Sequence, residues 1–63
     1  RDQLNILTDQ DILKADIFNG NGQLLYTTNK PFIPTYNLPN GVYVLCVTFR
    51  DGKVANKRFV LSR

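Results

Sequence analysis

The sequence predicts an all-β protein, an antiparallel sandwich or small barrel, on three observations. Strand-like runs recur at roughly the 8–12-residue spacing of such folds, with turn residues between them. No segment sustains a helical period. The longest run, Gly41 to Phe49, is built from β-branched, aromatic and aliphatic residues. It lies between a Leu38-Pro39-Asn40-Gly41 turn and an Asp51-Gly52 pair, as a strand feeding a hairpin does.

Taken in order, Gln3 to Leu7 sets Leu4 and Ile6 on one side and stops at the polar group Thr8 to Asp11, a short strand and a turn. In Ile12 to Phe18, alternation places Lys14, Asp16 and Phe18 on one face and Ala15 and Ile17 on the other, a strand with one wet side. Asn19-Gly20-Asn21-Gly22 is a pair of Asn-Gly steps, which favour positive φ and predict a tight hairpin. Gln23 to Thr28 returns as the next strand, with Leu24 and Tyr26 on one face and Leu25 on the other.

Pro31 and Pro34 bracket Phe32 and Ile33. A residue without an amide hydrogen cannot donate within a central ladder, so this segment is an edge strand or an extended crossing. In the long strand Tyr43, Leu45, Val47 and Phe49 share one face, and Val42, Val44, Cys46 and Thr48 the other. The aromatic-bearing face is expected to look into the core, since it has the larger area to hide. The last strand is expected from Lys53 to Leu61. The segments around Asn21-Gly22-Gln23-Leu24 and Asp51-Gly52-Lys53-Val54 echo one another, each preceded by an aromatic residue, which predicts two similar hairpins.

Sixty-three residues form one domain, 1–63, and burial gains at this length nearly cancel the cost of ordering the chain. The usual staples are missing: one cysteine, Cys46, allows no internal disulfide, and no histidine is present for a His-containing metal site. The domain is therefore expected to lean on a neighbouring domain, a partner chain or a strand supplied from outside. Net charge is +3, but unevenly placed. Asp2, Asp9, Asp11 and Asp16 outweigh Arg1 and Lys14 near the start, whereas Arg50, Lys53, Lys57, Arg58 and Arg63 outweigh Asp51 near the end. With no run of five like charges, the basic end reads first as the solvated face of a strand. No apolar stretch approaches the roughly 20 residues that span a bilayer as a helix.

Catalysis finds little to work with. Nucleophilic triads need a base beside the nucleophile, and the chain has no histidine and the single serine Ser62. Its five acidic residues are all aspartates, none in the apolar setting that tunes an acid-base pair. Asp9 and Asp11 lack the glycine and distant glutamate of a calcium loop and read as turn residues. Cys46, inside an apolar strand, reads as a small buried hydrophobe. Phe32, Tyr36, Tyr43, Phe49 and Phe59 fall where a core would use them, so stacking on nucleic acid is not expected. No enzyme, cofactor, metal or nucleic-acid partner is expected.

Several motifs together carry a family resemblance: Gly22-Gln23 after a strand, Leu38-Pro39-Asn40-Gly41-Val42-Tyr43-Val44-Leu45, Asp51-Gly52-Lys53, and Lys57-Arg58-Phe59-Val60-Leu61. In this order they resemble the C-terminal sorting domain of the type IX secretion system, from about Gln3 to the end. The resemblance implies a small immunoglobulin-like β-sandwich of about 6–7 short strands. It further implies a signal that directs a preceding cargo domain from the periplasm across the outer membrane to the surface of a Gram-negative bacterium. Translocon, shuttle and sortase proteins would be its partners.

Carried over onto this chain, Gly22 is the glycine of the first hairpin, Leu38, Pro39, Gly41 and Tyr43 lead into the long strand, and Asp51 and Gly52 form the second hairpin. Lys53, Lys57, Arg58 and Phe59 are the candidate contact residues. The Pro-Asn-Pro-type opening common in the family is missing here, and Cys46 is not a position where it expects cysteine. The final hairpin is expected to offer a strand edge and basic side chains to its partners, and the same edge predicts self-association. Two alternatives share the fold: a non-catalytic immunoglobulin-like spacer or adhesion module of a surface protein, and a sorting domain retained by a component of the attachment machinery. A parent protein ending after Arg63 favours sorting over the spacer.

Overall fold

Two hairpin turns of the same construction frame the protein, whose computed structural model describes residues 3–63. Arg1 and Asp2, counted in the charge balance above, lie outside these residues. In the first turn the Asn19 N–H donates to the Gln23 carbonyl and the Gly22 N–H to the Asn19 carbonyl, both at 3.0 Å. In the second the Phe49 N–H donates to the Lys53 carbonyl at 2.8 Å and the Gly52 N–H to the Phe49 carbonyl at 3.0 Å. Each is a three-residue loop closed by a glycine of positive φ, Gly22 at 82° and Gly52 at 93°.

The echo in the sequence is thus one turn used twice. The double Asn-Gly step works differently from expectation, because Gly20 is not at positive φ. Asn19 organises the loop instead, its Oδ1 accepting from the Asn21 and Gln23 amides at 2.9 and 3.0 Å.

Six strands follow in order: β1 Gln3–Asn5, β2 Ile12–Asn19, β3 Leu24–Thr28, β4 Phe32–Pro34, β5 Gly41–Phe49 and β6 Val54–Leu61. They form a four-stranded antiparallel sheet of order β3-β2-β5-β6 and a two-stranded sheet of β1 and β4. The connection from β3 to β5 passes through the small sheet, so two hairpins far apart in the chain become neighbours through β2 and β5. The proline-bracketed segment is an edge strand, as expected, and delivers Ile33, which is fully buried.

The core is Ala15, Ile17, Ile33, Tyr43, Leu45 and Val47. Phe49 and Phe59 are among the half-buried residues packed around it. The aromatic-bearing face of β5 therefore looks inward, and period-two alternation sends Val42, Val44, Cys46 and Thr48 outward. Two details depart from simple alternation. Asp16, expected on the wet face of β2, is only 7% exposed, sheltered where its Oδ1 accepts the Thr27 hydroxyl at 2.5 Å and Lys14 Nζ approaches its Oδ2 at 3.6 Å. A register shift between Ile17 and Phe18 sets Tyr26 opposite Ile17 but Leu24 opposite Phe18. This splits two residues expected on one face.

Candidate functional site

The residues singled out in the second half of the sequence converge on the β5-β6 hairpin. Its ladder runs without a register shift from Gly41 opposite Leu61 to Thr48 opposite Val54. Pro39, Gly41 and Tyr43 shape its beginning. The Tyr43 hydroxyl donates to the Pro39 carbonyl at 2.5 Å, tying the strand to the turn before it in the manner of the tyrosine corner of immunoglobulin sandwiches. Leu38 packs against the core, and its N–H donates to the Thr35 carbonyl at 3.0 Å. Asp51 and Gly52 make the turn, where Asp51 Oδ1 accepts the Lys53 amide at 3.0 Å. Gly22 does the equivalent work at the β2-β3 turn and lies apart from this hairpin.

The four candidate contact residues occupy distinct positions. Lys53 is exposed in the turn. Phe59 lies opposite Tyr43 and stacks on it, ring centroids 5.6 Å apart and planes inclined at 23°. Lys57 lies opposite Leu45 and shares its inward side of the sheet, and Arg58 lies opposite Val44 on the outward side. Both are exposed. Neighbours in sequence, they project to opposite faces of an edge strand. No acidic residue occurs between Gly52 and Arg63, so the strand presents positive charge alone.

Below Lys57 the sandwich is open. The small sheet covers only part of the large one, and a groove of about 340 Å³ remains beside β6. Leu45, Val47 and Phe49 contribute its floor, with Ile6 and Leu7 on one side and Ala55 and Lys57 on the other. Leu7 is 95% exposed there, an apolar side chain with almost no cover. Sequence reading missed this groove because its parts are some forty residues apart. The only local hint is Leu7, an aliphatic residue beyond the paired part of β1.

Arg63, which the sequence marks only by its charge, makes three hydrogen bonds to the Thr35–Asn40 loop. Its guanidinium donates to the Leu38 carbonyl at 2.7 Å and to the Thr35 carbonyl, and its N–H donates to Asn40 Oδ1 at 3.2 Å. The residue thereby fastens the end of β6 to the loop that leads into β5.

The family model of the secretion system C-terminal sorting domain matches residues 1–62. The chain belongs to that family. As a sorting domain it is a type IX signal for export to the outer membrane or cell surface, and it engages the secretion machinery and a cargo. No curated protein and no solved structure matches the chain. The β5-β6 hairpin is the part of this sorting domain with an open, basic edge. Among the described residues no group of three or more His, Cys, Asp or Glu is placed to hold a metal ion.

Proposed function

We propose that the domain works as a folded address label, handled by the translocon, shuttle and sortase proteins through its β5-β6 hairpin while performing no reaction of its own. The cargo travels through the periplasm and is attached at the cell surface, where the sortase exchanges the label for an anionic lipopolysaccharide. The observation that carries this reading is the family match over residues 1–62. The placement of Lys53, Lys57 and Arg58 supports it: all three are exposed on the turn and edge strand, and none of them is ion-paired among the described residues. A label recognised in this way needs surface shape and available backbone.

The test fuses residues 1–63 behind a periplasmic reporter in a host with the type IX system. The reporter is expected in the outer-membrane and surface fractions. One that stays in the periplasm removes the reading.

A further inference from the structure

We infer that the groove beside β6 is a docking site for one extended, acidic strand of a partner protein. The inference rests on the sorting reading, because it takes that partner to be a component of the export machinery. The large sheet has two edges, β3 and β6. β3 has five residues and carries the register shift, whereas β6 has eight in unbroken register. Alternate N–H and C=O groups along β6 point away from β5, so an incoming strand finds a straight ladder.

Side chains choose the strand. On the groove side, Lys57 and Ala55 stand two residues apart. Ala55 is too small to cover Val47 and Phe49, so the space beside it takes a large aliphatic side chain, which would also cover part of Leu7. Lys57 takes a carboxylate. For a strand antiparallel to β6, the order is an acidic residue, one spacer and an aliphatic residue.

Charge also argues against a second copy of the domain. Antiparallel pairing of two β6 edges keeps each face on its own side, so the registers that pair the most residues set Lys57 opposite Lys57 or Arg58 opposite Arg58, and like charges directly opposite destabilise a sheet pair.

The test uses the 63-residue chain and a fluorescent peptide of about eight residues, the length of a typical strand, with glutamate two positions before isoleucine in a threonine background. Polarisation should show saturable binding, and amide shifts should map to β6 and to Ile6, Leu7 and Thr8. Lys57→Glu should weaken it about tenfold, and a peptide with lysine in place of glutamate should restore binding to that variant. Ala55→Trp, which fills the groove without touching the charge, should abolish binding of both peptides. Failure to bind, equal binding by Lys57→Glu, shifts confined to β3, or a concentration-dependent dimer with shifts on β6 would each overturn the inference. The sorting reading is decided separately by the reporter. Normal export by a domain that ignores the peptide removes the docking site alone, and peptide binding with a periplasmic reporter removes the sorting role alone.

Discussion

Tyr43 and Phe59 face each other directly across the β5-β6 ladder and stack at 5.6 Å, joining the buried centre of the sheet to its open edge. Such a pair contributes about 0.5–1.5 kcal/mol beyond its area. Because Phe59 is half-buried, Phe59→Ala is expected to cost about 2 kcal/mol, below the range for a fully buried ring. In a domain this small the loss should appear as a large fall in the denaturant midpoint. Tyr43→Phe keeps the stack and removes only the bond to the Pro39 carbonyl, at about 1 kcal/mol.

The two hairpin turns predict a contrast among glycines. Gly22→Ala and Gly52→Ala force a side chain onto positive φ and should each destabilise by about 1 kcal/mol. Gly20→Ala should not, because its backbone is not at positive φ and the nearest atom to an added Cβ is 3.8 Å away. Urea midpoints of the three variants decide this.

Thr27→Val tests the sheltered carboxylate of Asp16. The variant keeps the shape of the side chain and deletes the 2.5 Å hydrogen bond, leaving a nearly buried carboxylate short of a partner at a cost of about 1–3 kcal/mol. Thermal unfolding reads the loss. A change under about 0.5 kcal/mol, the range of ordinary surface substitutions, would show that Lys14 and water satisfy Asp16 without Thr27.

Arg63→Ala should loosen the loop from Thr35 to Asn40 while leaving the sheet intact. Its guanidinium holds the Thr35 and Leu38 carbonyls, so amide exchange at Leu38 is expected to quicken, with Leu45 and Val47 unchanged. Uniform acceleration across β5 would mean that Arg63 supports the whole fold.

Replacing Lys53, Lys57 and Arg58 together by glutamine should leave stability within about 0.5 kcal/mol, since all three are exposed. Export of a fused reporter should nonetheless fall. Normal export by this variant would move the recognition surface away from the hairpin.

Much of this protein follows from short-range rules. Alternation along Gly41 to Phe49 selects Tyr43, Leu45 and Val47 for the interior because successive side chains of a strand point to opposite faces. Turn chemistry at Asn21-Gly22 and Asp51-Gly52 places both hairpins within a few residues. The motifs around Tyr43 and Lys57 are contiguous in the chain, and they suffice to indicate the family.

The remaining features depend on residues far apart in sequence. The pairing of β2 with β5 makes two separate hairpins into one sheet. Asp16 loses its water because that sheet brings β3 and Thr27 beside it. Arg63 reaches Thr35 across 28 positions, and the groove joins Leu7 to Ala55. Local alternation and turn preferences extend over two to five residues. Strand order, and what each edge leaves uncovered, is set by which distant apolar faces bury one another.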